Sequence, residues 1–368
     1  MKKILFIDTG IECGGGTRSL VYLLKELVKS SKYKLFVFFE KDYEIDGRSV
    51  CDVMKDIGVE FVKFEKKPQI SKIKREILRL FSKEILAEKI YQNDLKFAVK
   101  LLKSVSVDAI YLNNHFSTNL AYIKAANMLG INVIQHLRKN ATIEKFKLEI
   151  LKSLKFTPIS VSNSTYKFYA NQLKLDKNIV YDPVVCSKNL SSSSEDGVIN
   201  LIMCANFLEL KGHELVFDAL LKLKREDIRL SLAGSGKFKP QAQQKFERLQ
   251  QTRRVVNLGF VNDMSKIYSK GDYLIGFSSD EGMPRVVIEA LSHGLGVIFS
   301  DLGAIREIYE ISSNKENFYI LKRDSNELLK CLENLKKPSF KAQDISIIKA
   351  FSMDNYIKSI DKILQEKI

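Results

Sequence analysis

The stretch DEGMPRVVIEALSHGLGVIFSDLGAIREI, residues 280–308, decides how the rest of the chain is read. It follows YLIGFSS, residues 273–279, whose apolar run suits a strand buried on both faces. The turn DEGM ends that run, Pro284 stands near the first position of a helix, and Gly294 marks its stop. GVIFS, residues 296–300, then restarts the strand pattern. A helix that begins just after a strand presents free backbone N–H groups and the positive end of its dipole, which suits a phosphate. Glu281 and Glu289 lie eight residues apart around this start, a separation of ~12 Å along a continuous helix. Carboxylates so far apart do not share one proton. They suit a grip on two ends of an extended ligand, such as hydroxyls on either side of a diphosphate.

The same rhythm of apolar run and amphipathic segment extends in both directions. Strands are predicted at 3–8, 35–39, 59–64, 109–113, 132–136 and 157–161, and again at 200–205, 229–233, 255–258, 273–277, 296–300 and 317–321. Between the two sets lies CSKNLSSSSEDG, residues 186–197, with the composition of a linker. The expectation is α/β: two doubly wound, Rossmann-like domains over 1–186 and 187–350 with a cleft between them, and a C-terminal helix over 351–368 free to pack back on the first. A length of 368 residues agrees with two cores, and no apolar run approaches the length of a membrane span. The start MKKILFIDTG reads as a first strand rather than a secretory leader, because its apolar run stops at Asp8. Cys13, Cys51, Cys186, Cys204 and Cys331 are scattered, which fits reduced thiols in a cytosolic protein and no finger-like metal site.

A net charge of +15 implies a polyanionic neighbour. The excess is uneven: Lys63 to Lys103 holds 12 Lys or Arg against 5 Asp or Glu, interleaved with apolar residues at helical intervals. Such a basic amphipathic region fits docking on an anionic cytoplasmic membrane face. A nucleic-acid binder would use the same charge, but the sequence has no recognition-helix, RNP-like or finger motif, and no nucleic-acid partner is expected.

The segment EGMPRVVIEALSHGLGVIFSD resembles the E-x7-E signature of the retaining glycosyltransferases of family 4, which have the two-domain GT-B fold and take nucleotide diphosphate sugars. The resemblance covers most of residues 1–310 and is closest in the second half. It implies that Glu281 lies by the donor sugar and Glu289 holds the ribose, with Gly282, Met283 and Pro284 lining the same donor site. Upstream, ANFLELKGHELVFDALLKL is similar to the family's Lys-Gly loop, so Lys211 would neutralise the diphosphate. The sequence departs from the pattern at Asn206, where an arginine usually partners that lysine, and at Asp182, where an asparagine is common. LAGSG places Gly234 in a glycine-rich turn by the donor, and the loop around Phe260 lies near the base. At the N-terminus CGGGTRSL, opening a helix at about Arg18, implies donor contacts from Gly15, Gly16 and Arg18. NVIQHLRKN implies that His136 stands beside the transferring sugar.

Taken together the resemblance implies a retaining hexosyltransferase that moves a sugar from a UDP- or GDP-linked donor to a glycan or lipid-linked glycan acceptor, in bacterial capsule, O-antigen or lipopolysaccharide synthesis. Glu281, His136 and Lys211 would be its catalytic residues. No D-x-D motif is present, so neither a metal nor another cofactor is expected. The protein would be cytoplasmic, peripheral on the inner face of the plasma membrane. A different GT-B-like nucleotide-sugar enzyme, an epimerase or a phosphorylase, is the alternative, distinguished by its products.

Overall fold

The computed structural model describes residues 1–68, 70–185, 190, 197–338 and 342–368. It divides into two units: Met1–Val161, Thr165–Val180 and Ile357–Ile368 form unit 1; Ser162–Ser164 and Tyr181–Tyr356 form unit 2.

In unit 1 the strands are β1 (Lys2–Asp8), β2 (Tyr33–Phe39), β3 (Glu44–Ile45), β4 (Arg48–Ser49), β5 (Glu60–Phe61), β6 (Ala109–Asn113), β7 (Asn132–Leu137) and β8 (Thr157–Ser160). Apart from the small β3–β4 hairpin they form one parallel sheet in the order β5-β2-β1-β6-β7-β8. Ile4 to Ile7 and Ala109 to Leu112 have no solvent exposure, which is why these strands read as unbroken apolar runs. In unit 2, β9 (Ile199–Cys204), β10 (Ile228–Ala233), β11 (Val255–Asn257), β12 (Tyr273–Gly276), β13 (Gly296–Ser300) and β14 (Phe318–Leu321) form a second parallel sheet, ordered β11-β10-β9-β12-β13-β14. One of its faces is covered around Val216, Phe217, Phe246 and Leu332, the other around Val287, Ile288, Leu291, Ile305 and Ile308. Both sheets are α/β and doubly wound, as expected. Strand order reverses between β1 and β6 in one and between β9 and β12 in the other, so the carboxyl ends of these pairs are where ligands bind.

All twelve predicted sheet strands are present, the third as the shorter pair Glu60–Phe61. The stretch 186–197 lies almost wholly outside the described residues, and packing puts the division earlier, at 180/181 rather than 186/187. The reason is that Tyr181 and Val184 already belong to unit 2: the Tyr181 ring lies 4.8 Å from that of Phe351, and Val184 N–H donates to the Phe351 carbonyl at 3.1 Å. The last helix runs Met353–Lys367, and its residues from Ile357 on count with unit 1, where Asp361 accepts from the Tyr33 hydroxyl at 2.9 Å. The N-terminal helix begins at Gly15, ahead of the expected Arg18, because Gly14 in extended backbone already serves as its cap.

The basic region resolves into helices Lys72–Phe81 and Lys83–Val105, the second started by the Ser82 side chain accepting from the Glu84 N–H. The long helix buries Leu86, Phe97, Leu101 and Leu102; the short one leaves Ile73, Ile77 and Leu80 exposed.

Candidate functional site

In unit 2 the candidate residues gather at the carboxyl ends of β9 and β12. The chain leaves β9, makes a short 3-10 turn at Glu209–Lys211 and enters the helix His213–Lys222 through Gly212, whose φ is +76°. A Cβ on Gly212 would overlap the Phe277 carbonyl oxygen and sit 2.8 Å from its carbon, so only glycine lets these backbones meet. Ser279 N–H donates to the Leu210 carbonyl at 2.8 Å, a second clamp between the same two loops. Together they bring Lys211 against Glu281, seventy residues away in sequence: Lys211 Nζ donates to Glu281 Oε1 at 2.6 Å, and the same oxygen accepts from Ser278 Oγ at 2.7 Å. Both side chains keep some exposure, 23% and 16%, so the pair can open toward a ligand.

The helix Arg285–Ser292 follows with Pro284 at its cap position, no side-chain cap and no acidic residue in its first turn. Its positive end is therefore not offset by its own sequence. Gly282 is buried, and its carbonyl accepts from Ser162 Oγ at 2.7 Å. Met283 packs onto the apolar layer under this helix. Glu289, on the same helix, accepts from the Tyr268 hydroxyl at 3.0 Å.

On the other side of β9, Gly234 passes so close to Ala205 that a Cβ there would lie 2.7 Å from its carbonyl carbon, and Gly234 N–H donates to the Gly259 carbonyl at 2.8 Å. Phe260 follows with 66% exposure, and Asn206 is exposed at the end of β9. Arg323, beyond β14, donates through Nε to the Phe277 carbonyl at 2.8 Å, bracing the backbone just ahead of Glu281. His213 is buried among the Phe207, Phe217 and Phe238 rings; burial first, and Lys211 second, push it down to about 4.

In unit 1 the carboxyl ends of β1, β6 and β7 meet in a polar cluster. Buried Asp8 accepts from Gly10 N–H at 2.6 Å, Asn113 Nδ2 at 2.7 Å and Asn114 Nδ2 at 2.9 Å, and Asn113 Oδ1 accepts from Arg138 Nε at 2.6 Å. Asn114 is held at φ +88°, a strained conformation that the Asp8 bond helps to fix. Arg138 lies over the glycine loop, where a Cβ on Gly16 would be 2.8 Å from its Cδ, whereas Gly14 has open space. The Gly15 carbonyl accepts from Ser19 Oγ at 3.1 Å.

Arg18 and His136 both have protein partners here. The Arg18 guanidinium makes a two-pronged bond to Asp46 at 3.1 and 2.7 Å, and this bond raises its pKa. His136 has no exposure; its Nδ1 lies 2.5 Å from the Tyr111 hydroxyl and 3.2 Å from Arg138 Nη2, and burial, then Arg138, hold the ring well below its usual range. It is a neutral group buried near the carboxyl end of the sheet. Arg138, two residues on, is the partly exposed side chain at the end of that strand.

Sequence reasoning missed Ser278, Tyr268, Arg323 and Arg138. Only Ser278, three residues before Glu281 in the same turn, had a local signal. Among the described residues no group of three or more His, Cys, Asp or Glu gathers in a way that could hold a metal ion.

A family model for glycosyl transferases group 1 matches residues 199–337, which lie within unit 2. A Campylobacter jejuni α-1,4-N-acetyl-D-galactosaminyltransferase acting on a diphospho-undecaprenol-linked glycan is 25% identical over 301 residues, 79% of this chain and 77% of that protein. A glycosyltransferase of Methanocaldococcus jannaschii is 33% identical over 107 residues, 28% of this chain and 27% of its own. Among solved structures, Anabaena HepE in complex with UDP and glucose superposes with a TM-score of 0.70 at 17% identity, covering 99% of this chain and all of that one. The lipopolysaccharide outer core galactosyltransferase WaaB, without ligand, gives 0.70 at 17% identity over all of both chains. Residues 199–337 thus match the glycosyl transferases group 1 family, and the chain as a whole has the two-domain α/β fold of these solved glycosyltransferase structures.

Proposed function

We propose that the protein transfers a sugar, with retention at the anomeric carbon, from a UDP- or GDP-linked donor to a lipid-linked glycan during bacterial surface polysaccharide synthesis, without an obligatory metal ion. The observation that carries this reading is the Lys211–Glu281 pair beside the uncapped helix Arg285–Ser292, with Glu289 about one turn along that helix. The Campylobacter jejuni relatives are named for adding N-acetylgalactosamine to diphospho-undecaprenol-linked glycans, and the Anabaena structure holds UDP, which favours UDP and a lipid-linked acceptor.

On this reading the donor diphosphate draws Lys211 from Glu281 and lies against the helix start. The acceptor hydroxyl attacks the anomeric carbon from the face the diphosphate leaves. The new bond joins acceptor oxygen to sugar carbon, the bond to the diphosphate oxygen breaks, and the hydroxyl proton passes to a diphosphate oxygen. Lys211 and the helix N–H groups stabilise the departing charge, the kind of preorganised electrostatics that carries much of an enzyme's acceleration. Glu281, freed from Lys211 and still oriented by Ser278, turns to the sugar hydroxyls; it is not assigned as a nucleophile.

Thermal-shift titration with UDP, GDP, ADP and their sugar conjugates tests the donor site. A rise in melting temperature for one nucleotide, absent in Glu289→Ala, supports it; no response to any would sink it.

The lipid-linked acceptor calls for a membrane surface. Among the described residues no helix is long and apolar enough to cross one. The helix Lys72–Phe81 instead shows exposed Ile73, Ile77 and Leu80 beside Lys72, Lys74, Arg75 and Arg79, a composition suited to lying in an anionic interface. Sedimentation with vesicles containing phosphatidylglycerol should be lost when Ile73, Ile77 and Leu80 become Ser; equal sedimentation of the variant rules out this attachment.

A further inference from the structure

Each of the two site carboxylates accepts from a side chain remote in sequence or on a neighbouring element. Glu281 accepts from the ammonium of Lys211, whereas Glu289 accepts from the phenol of Tyr268, a donor that orients the carboxylate. Tyr268 closes the short helix Ser265–Tyr268 and is 1% exposed. Burial first, then the neighbouring Cys204 thiol and the Glu289 carboxylate, push its phenol well above the usual range, so the proton stays on oxygen. The phenol touches the end of β9 through Cys204 and the helix Arg285–Ser292 through Glu289 Oε2. A second ring supports it: His293 lies 5.1 Å from Tyr268, centroid to centroid, and its Nδ1 is 2.8 Å from the Glu289 main-chain carbonyl. A carbonyl only accepts, so His293 carries its proton on Nδ1. The backbone and side chain of Glu289 are thus both fixed from the Tyr268–His293 side.

We infer that Tyr268 is a positioning residue, which holds the Glu289 carboxylate in the orientation that grips the ribose hydroxyls of the donor. The inference rests on the donor-site reading above. A charge-assisted hydrogen bond of this kind is worth roughly tenfold or more in affinity, and its effect should fall on donor binding rather than on bond cleavage.

The test uses the full chain and whichever of UDP, GDP or ADP shifts the parent's melting temperature, with its 2′-deoxy and 3′-deoxy counterparts as further probes. Tyr268→Phe keeps the ring and removes only the hydroxyl. Expected are a roughly tenfold weaker dissociation constant for the ribonucleotide, a matching rise in KM with kcat within about twofold, and no further loss when Tyr268→Phe is added to Glu289→Ala. The penalty should vanish with a deoxynucleotide lacking the gripped hydroxyl. If Tyr268→Phe binds like the parent while Glu289→Ala does not, the positioning role is wrong and the donor site stands. Equal losses from Tyr268→Phe in both backgrounds would show that Tyr268 acts through packing and not through Glu289, which also overturns it. If Glu289→Ala itself binds normally, or no nucleotide shifts the parent, the donor-site reading falls and takes this inference with it.

Discussion

Replacing Gly212 by alanine tests whether the Lys-Gly turn is there for its geometry. Alanine at φ +76° costs about 1 kcal/mol for the left-handed conformation alone. The added methyl would also overlap the Phe277 carbonyl and sit 2.9 Å from the Phe277 Cβ, contacts that backbone and not a flexible side chain must relieve. Overpacking of that kind costs about 1–3 kcal/mol, so the sum is about 3 kcal/mol. In a unit of this size each kcal/mol lowers the melting temperature by about 2–4 °C, which predicts a fall of roughly 6–12 °C. The displacement would also pull apart the loops joined by Ser279 and Leu210, and with them the Lys211–Glu281 contact, so donor KM should rise more than tenfold. Differential scanning fluorimetry and initial-rate kinetics read both, with Gly14→Ala as control: it has nothing within 4 Å and extended backbone, and should stay within about 0.5 kcal/mol of the parent. A Gly212→Ala protein as stable as the control, with unchanged KM, would refute the argument that this glycine fixes Lys211.

Lys211→Ala should lower kcat by about 10²–10³, the usual loss for one donor to a developing anion, while the Ser278 bond keeps Glu281 satisfied and the melting temperature falls only slightly; a loss under tenfold in steady-state rates would remove Lys211 from the diphosphate. Arg18→Ala should change stability by less than about 1 kcal/mol, because the pair with Asp46 is 36% and 55% exposed, and should cost turnover less than about tenfold; a far larger kinetic loss would mean that Arg18 leaves Asp46 for the donor. Acid should destabilise the protein in a defined window. His213 is neutral in the fold down to about 4, and the unfolded chain takes up the proton below 6.5, so its contribution is full above pH 6.5 and declines toward pH 4. At pH 5 the loss is about 2 kcal/mol for this group, with His115 and His136, both lowered chiefly by burial, adding in the same direction. Urea unfolding at pH 7 and 5 measures it, and His213→Gln should flatten the slope; an identical slope in that variant would count against His213 as a source.

Parallel strands buried on both faces write themselves into sequence as apolar runs, so twelve strands and the doubled sheet were legible from residues such as Ile4–Ile7 and Val297–Phe299. The β3–β4 hairpin was not, although its turn carried a local sign. Asp46 and Gly47 have φ of +51° and +79°, the pattern that Asp-Gly favours in a tight hairpin. Its flanks, Glu44–Ile45 and Arg48–Ser49, are too short to alternate visibly. That omission propagated: Asp46 lies in this turn, so the partner that occupies Arg18 was invisible for the same reason. The burial of His136 was hidden for a different reason. A histidine at the end of an apolar run looks the same whether the strand stops before it or after it, and β7 runs one residue further, to Leu137, which takes the ring inside. Long-range pairings such as Asp8 with Asn113 depend on strand order, which no local pattern encodes.

On the proposed donor reading, the spacing of Glu281 and Glu289 has a physical account. A nucleotide sugar brings its negative charge at the diphosphate and neutral hydroxyls at both ends. A carboxylate beside the diphosphate would repel it unless a cation intervened, and Lys211 stands there, on the Glu281 side. A carboxylate at the ribose end has no such anion to avoid, and the Tyr268 phenol that donates to Glu289 orients it to accept from hydroxyls. Asn206 fits the same account. With an arginine there the loop would carry a second cation, whereas with asparagine the electrostatic share falls on Lys211 and on the start of the helix Arg285–Ser292. The absence of an acidic residue from that first turn therefore matters more in this chain than it would with the arginine present, since each like charge placed there would cost about 0.3–1 kcal/mol of anion binding.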